Sequence, residues 1–274
     1  MSETMSIAAP DGSVAEAIAY ADFASLVAGA ADTIVAEAAG AIAERGQFTL
    51  ALSGGNTPRP VYQRLAAAAI DWSRVHVFFG DERCVSPRDA RSNYHMAKLA
   101  LLDRVPIPPG NVLRMRGEDP PEAAAEAYAV DLRRALGDHG RLDLVLLGLG
   151  HDGHTASLFP GLAAATETRR TVMASYVEYV GMWRLSLTPA AINAAHRVVF
   201  VVTGDDKAEI LYRVLQGPRQ PVVLPAQAIR PTERPAIWLV DRVAAAKLKG
   251  SHGSQGSRAE TIAQPPVSKQ QRDQ

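Results

Sequence analysis

Cysteine is nearly missing from this 274-residue sequence. Cys84 is the only one, which excludes an internal disulfide framework and any zinc site built on several thiolates. Net charge is missing too: 29 basic side chains balance 29 acidic ones. No general attraction for a nucleic-acid backbone results, although a local basic cluster around one small anion would vanish in that sum. The expectation is therefore no nucleic-acid partner, with a small anion left open. No uninterrupted apolar run approaches the roughly 20 residues of a bilayer-spanning helix. Residues 1–12 lack the basic-then-apolar order of a secretory leader. A cytoplasmic protein with no membrane partner is expected. The Gly-x-Ser-x-Gly elbow of serine hydrolases is absent, and no Gly-Lys-Ser/Thr completes a nucleotide-triphosphate loop.

What is present is a chain that is 47% hydrophobic, long enough to bury a sizeable core. Short apolar runs alternate with longer Ala-rich segments of helical spacing, without an internal repeat. Strands are expected at roughly 14–20, 48–52, 75–79, 142–147, 198–202 and 236–240. Several of these runs are apolar throughout, as when helices cover both faces of a parallel sheet. Asp22 can cap a helix reaching about Glu44, Pro58 suits a first helical turn, and Ser92 or Asn93 can open a third. Further helices fit 121–136, 189–195, 205–215 and 242–247. The implied fold is α/β and three-layered, a mostly parallel sheet with helices on both faces and right-handed crossovers. Residues 1–12 and 250–274 are small and polar or lack apolar periodicity, and are expected to be flexible or disordered around a single domain at 13–249.

Ligands in such folds bind at loops leaving the carboxyl ends of strands, and three polar loops follow apolar runs. After FTLAL comes SGGNTP. Gly54 and Gly55 free the backbone to approach an anion, Ser53, Asn56 and Thr57 add polar groups, and Pro58 starts a helix whose amino end favours negative charge. A phosphate cradle and a tight turn fit this loop equally. After VHVFFG come Asp81, Glu82 and Arg83, which taken alone read as a solvated surface ion pair. After LDLVLLG comes GLGHDGHTASLFPG. Its glycines permit a tight loop from which Asp152 and His154 project, and histidine is the side chain best suited to accept a proton near neutral pH. His154 is a candidate general base. A capping role, or a metal held with His151, are the alternatives, although no third strong ligand is evident.

The ordered set LALSGGNTP, FFGDERCVSPRDARSNY, LGLGHDGHTASLFPG, WRLSLTPAAINAAHRVVFVVTGDDKAEIL and LPAQAI resembles the 6-phosphogluconolactonase family over roughly residues 14–247. The resemblance implies hydrolysis of 6-phospho-D-glucono-1,5-lactone to 6-phosphogluconate in the oxidative pentose phosphate pathway. It also implies a fold shared with sugar-phosphate isomerases and deaminases. Carried over by motif, the catalytic base falls on His154 with Asp152 as its companion, and His151 is not a fixed position. Ser53, Gly54, Gly55 and Thr57 meet the phosphate, with positive charge from Arg83, Arg184 and Lys207, and Asp81 belongs to the same substrate-binding set. No metal and no cofactor are implied; the partner is a small sugar-phosphate lactone.

A sugar δ-lactone is an activated ester, so positioning and one general base suffice without an acyl-enzyme. Ser53 is accordingly expected to be a phosphate donor or turn residue, and Cys84 a packed thiol. His76, His95, His139 and His196 lack a comparable context and read as structural or surface residues. Two rivals remain. A hexosamine-6-phosphate deaminase or isomerase would continue the DGH loop toward a glutamate, whereas HTASLFPG has no acid. A silent sugar-phosphate sensor would need a DNA-reading module, and no helix-turn-helix extension or basic segment is evident.

Overall fold

A computed structural model describes residues 2–137 and 140–252 of the chain. The main sheet contains β1 (Ser2–Ala8), β2 (Val14–Tyr20), β3 (Phe48–Leu52), β4 (Val75–Phe79), β6 (Leu144–Leu147), β9 (Arg197–Val202), β10 (Ile237–Asp241) and β11 (Ser251–His252). Their spatial order is β11-β1-β2-β10-β9-β6-β3-β4. From β2 to β4 every pairing is parallel, and β1 is antiparallel to both of its neighbours. A second, antiparallel sheet joins β5 (Asp81–Arg83), β8 (Met182–Leu187) and β7 (Val172–Val177).

Side chains alternate across the parallel strands, and so divide the core into two clusters. Leu50, Leu52, Val77, Phe79, Leu144 and Leu146 pack on one face with residues of α1 (Phe23–Arg45), α2 (Pro58–Leu65) and α3 (Asn93–Ala100). Ala51, Phe78, Val145, Leu147 and Phe200 pack on the other with α4 (Pro121–Leu136), α5 (Pro189–Asn193), α6 (Ala208–Gln216) and the second sheet. Both faces of the central strands are thus buried, which is why their sequences are apolar without alternation. Each fully buried Leu or Phe contributes about 1.5–3 kcal/mol.

Helix boundaries follow local chemistry. Asp22 caps α1 by accepting from Ser25 N at 2.7 Å, and Gly46, in the left-handed region at φ 78, ends it. Ser92 caps α3, accepting from His95 N at 3.0 Å. By length and apolarity α1 could cross a membrane, which the reading of uninterrupted runs did not anticipate. Asp32 and Glu37 interrupt its sequence, and Leu26, Ala30, Ile34 and Ala38 are buried in the core.

The ends differ from the flexible segments expected. Residues 2–8, expected to be loose, form β1 and pair with β2 throughout, because Met5 and Ile7 alternate inward into the core. The Pro10-Asp11-Gly12 turn between them carried the signal: Asp11 Oδ1 accepts from Ser13 N and Oγ, and Gly12 has φ 82. Ser251–His252, assigned to the tail, add a two-residue strand beside β1. The rest of the expected tail, 253–274, and His139 lie outside the described residues.

Candidate active site

Loops from the carboxyl ends of β3, β4, β6 and β9 converge on one cleft of about 230 Å³. Ser53 follows β3. Its N–H donates to Tyr62 Oη at 2.9 Å while the Tyr62 hydroxyl donates to its carbonyl at 2.7 Å, tying the loop to α2. Gly54 has no room for a side chain, since a Cβ would lie 1.8 Å from Asn93 Oδ1, and Gly55 has φ 101. Pro58 begins α2 directly after Thr57, whose side chain makes no cap. Among the described residues no group accepts the amides of Gly54, Gly55, Asn56 and Thr57, which leaves donors beside a helix start.

The Asp81–Glu82–Arg83 cluster is not the solvated ion pair that its sequence alone suggested. Asp81 and Glu82 are buried. Asp81 Oδ1 accepts from Asn93 Nδ2 at 2.9 Å and Oδ2 from Ser157 Oγ at 2.7 Å, so this carboxylate braces two loops while lining the cleft. Glu82 accepts from the Arg83, Asn93 and Tyr94 amides and from Ser92 Oγ, at 2.7–2.9 Å. Burial pushes the Glu82 carboxyl up, against those bonds. The pair fixes the start of α3 and the loop leading to Arg83.

Arg83 lies opposite Arg184 in the β5–β8 register. The Nε atoms of both are buried without a partner. Burial first, and the neighbouring Arg83 second, pull the Arg184 pKa down. Two adjacent guanidiniums with unused donors favour an anion between or beside them. Arg83 is on the cleft wall; Arg184 is not. Lys207, after β9, is also on the cleft wall, and burial pulls its pKa down against the attraction of Asp206 and Asp152.

The loop after β6 carries the dyad. His154 Nδ1 lies 2.6 Å from Asp152 Oδ1, which also accepts from the His154 amide at 3.1 Å. A carboxylate only accepts, so Nδ1 carries the proton, and in the neutral imidazole Nε2 then holds the lone pair. Burial alone would raise the Asp152 carboxyl, but the His154 bonds and charge and a bond from Tyr179 outweigh it and hold it well below the usual carboxylate range. His154 lines the cleft; Asp152 does not. Ala156, also on the wall, has φ 48, a left-handed conformation unusual for a residue with a Cβ. His151 lies apart, 3.4 Å from Asp206 Oδ2. Among the described residues no three His, Cys, Asp or Glu side chains gather as a metal would require.

Gly148, Gly150 and Gly153 spell Gly-x-Gly-x-x-Gly after a strand. No α-helix follows them, however; the chain runs through turns to a short 3-10 segment at Ala163–Thr166. The helix amino end that would hold a dinucleotide pyrophosphate is therefore missing at that place. Cys84 is off the cleft wall, and burial, then Glu82, pushes its thiol up to about 11, the state of a packed thiol rather than a nucleophile. A larger hollow of about 770 Å³ lies at the amino ends of the strands, lined by Arg45, Asp143 and His196, but there Arg45 already pairs with Asp143 at 2.9 Å.

Residues 21–238 match the model of the family described as glucosamine-6-phosphate isomerases/6-phosphogluconolactonase. The chain belongs to this glucosamine-6-phosphate isomerase/6-phosphogluconolactonase family. It is 44% identical over 214 residues to the 6-phosphogluconolactonase of Synechocystis, covering 76% of this chain and 88% of the relative. With the 6-phosphogluconolactonase of Nostoc it shares 40% over 232 residues, 83% of this chain and 95% of the other. The crystal structure of 6-phosphogluconolactonase from Thermotoga maritima superposes with a TM-score of 0.74 at 31% identity, covering 82% of this chain and 99% of that one. A monomeric glucosamine-6-phosphate deaminase, 21% identical, shares the fold with a TM-score of 0.72.

Within this family fold, Ser53, Gly54, Gly55, Thr57, Asp81, Arg83, His154 and Lys207 all line the one cleft. Asp152 and Arg184 are not on its wall; Asp152 holds His154, and Arg184 lies opposite Arg83. Sequence reasoning missed Asn93, which holds Asp81 against the Gly54 loop, and Tyr179, whose hydroxyl donates to Asp152 Oδ2 at 3.0 Å. Asn93 was visible only as a helix cap. Nothing local marks Tyr179.

Proposed function

We propose that the chain hydrolyses 6-phospho-D-glucono-1,5-lactone to 6-phosphogluconate, as a step of the oxidative pentose phosphate pathway, and that it does so in the cytoplasm. The observation that carries this reading is the His154–Asp152 dyad opening onto a cleft that also holds Arg83, Lys207 and the free amides of residues 54–57. A proton acceptor and an anion site face the same small space.

His154 Nε2 takes a proton from water as the water oxygen bonds to C1 of the lactone, and the resulting imidazolium is stabilised by Asp152. The carbonyl oxygen becomes a tetrahedral oxyanion, held by backbone N–H groups or a guanidinium of the cleft. Collapse breaks the bond from C1 to the ring oxygen, which takes the proton back from His154 Nε2. Water is consumed, the free carboxylic acid ionises, and no redox cofactor enters the balance. Ser53, Gly54, Gly55 and Thr57 grip the phosphate with Lys207 and the Arg83–Arg184 pair supplying positive charge. Asp81 acts through the braces to Asn93 and Ser157 that shape the wall.

A deaminase or isomerase reading is less well supported, since 155–161 contains no acid to assist ring opening. Purified protein incubated with freshly generated 6-phosphogluconolactone, and separately with glucosamine 6-phosphate, distinguishes the readings. The expected outcome is acid release from the lactone and no ammonia or ketose from the amino sugar. Ammonia release would replace the lactonase reading; inertness toward both would favour a silent sensor.

A further inference from the structure

The β7–β8 hairpin sends its tip, Glu178–Gly181, toward the catalytic loop. Asp152 and Tyr179 are 27 residues apart in sequence, and their contact is made by side chains alone. Both His154 contacts fall on one carboxylate oxygen, Oδ1, at 2.6 and 3.1 Å, while among the described residues Oδ2 takes only the Tyr179 hydroxyl, at 3.0 Å. A carboxylate held by one oxygen can pivot about its Cβ–Cγ bond and carry the imidazole with it; held by both, its plane is set. The same tyrosine reaches the base by a second route. Phe159 lies against the His154 ring at a centroid distance of 4.3 Å, and the Tyr179 ring meets Phe159 edge-on at 5.8 Å and 84°.

We propose that Tyr179 is a positioning residue for the His154–Asp152 dyad, fixing the carboxylate through its hydroxyl and the imidazole through Phe159. The role rests on the lactonase reading for its kinetic consequence, but not for its geometry. Tyr179 is 71% exposed, so it adds little to the core and a change in its chemistry is not a change in folding. Partial desolvation of the hydroxyl, and then the bond to Asp152, raise its pKa above the ordinary tyrosine value, so it is a donor throughout the neutral range. Partners of this kind that orient a base through a second group typically matter by about 10- to 100-fold at metal-bound histidines; a solvent-accessible one belongs at the lower end.

Tyr179→Phe keeps the ring on Phe159 and deletes only the hydroxyl. It should lower kcat roughly tenfold on 6-phosphogluconolactone, leaving KM and Tm unchanged. In an Asp152→Asn background the same substitution should change nothing further, because the group it acts through is already altered. Nitrogen-15 spectra of the histidine side chains supply a readout independent of turnover. In the wild type His154 should show one Nδ1–H tautomer, and in Tyr179→Phe a mixture. If wild type hydrolyses the lactone while Tyr179→Phe matches it in kcat and in the His154 spectrum, Tyr179 is a surface residue and the inference is overturned. If the wild type hydrolyses no lactone, the function proposed above is wrong, and the tautomer comparison alone decides the inference. An equal loss in the Asp152→Asn background would overturn it too, by showing that Tyr179 does not act through Asp152.

Discussion

A Cβ placed on Gly150 would lie 2.1 Å from Nδ1 of His154. The glycine is needed because the imidazole folds back over the backbone of its own loop, whose Gly150 N–H donates to the His154 carbonyl at 2.8 Å. Gly150→Ala should therefore displace the ring from Asp152. We expect kcat to fall at least tenfold, a loss of about 1.4 kcal/mol or more in transition-state stabilisation. Steady-state kinetics of the variant check this; an unchanged kcat would mean that the ring has room to move without loss.

Substrate choice should depend on the phosphate, and Lys207 is, with Arg83, one of two cations on the cleft wall among the described residues. Lys207→Ala should cost on the order of 1.5–3 kcal/mol in kcat/KM for the phosphorylated lactone. Glucono-δ-lactone should react poorly with the wild type and lose little more in the variant. Measuring both proteins on both lactones isolates the contact. Equal weakening of the two substrates would move Lys207 away from the phosphate.

Acid should erode the dyad's contribution to stability. The Asp152 carboxyl is held below its ordinary value of 3.8 despite burial. A depressed carboxyl adds stability that is present above the unfolded value and is lost as the pH falls through the folded one. Asp152→Asn should be less stable than the wild type near neutral pH, with the gap narrowing below about pH 4. Urea denaturation of both proteins across that range reads the gap. A difference that stays constant down to the acid limit would show that the Asp152 charge plays no part.

Deleting residues 2–8 removes β1, and with it the buried Met5 and Ile7 side chains and the edge cover of β2. Loss of two buried side chains predicts destabilisation of about 3–6 kcal/mol, seen as a fall in Tm, and an exposed edge predicts aggregation. An unchanged Tm would return this segment to the flexible end that its composition suggested.

Much of the fold was legible because the central strands are covered on both faces. Phe48–Leu52 and Val75–Phe79 are continuous apolar runs, and Asp22 and Ser92 mark helix starts by their side chains. The second sheet was not legible. β5 is three polar residues, and β7 and β8 mix buried Val177 and Leu185 with the exposed Tyr176 and Trp183, so neither period stands out. The same hidden hairpin explains why Tyr179 was missed. Its contact with Asp152 exists only once β7 and β8 pair and their tip turns back. The cleft loops were legible because polar motifs sat directly after strands; the burial of Asp81 and Glu82 was not, because their partners Ser92 and Asn93 come from the start of α3 and Ser157 from the loop after β6.

The central claim is that His154, which lines the cleft and whose Nδ1 is held by Asp152, activates water for lactone hydrolysis. Initial rates of acid release from freshly generated 6-phosphogluconolactone, measured for wild type, His154→Ala and His151→Ala, test it most directly. The account predicts a fall in kcat of roughly 10²-fold or more for His154→Ala with little change in KM, and near wild-type rates for His151→Ala. Undiminished turnover by His154→Ala, or equal losses from the two substitutions, would contradict it.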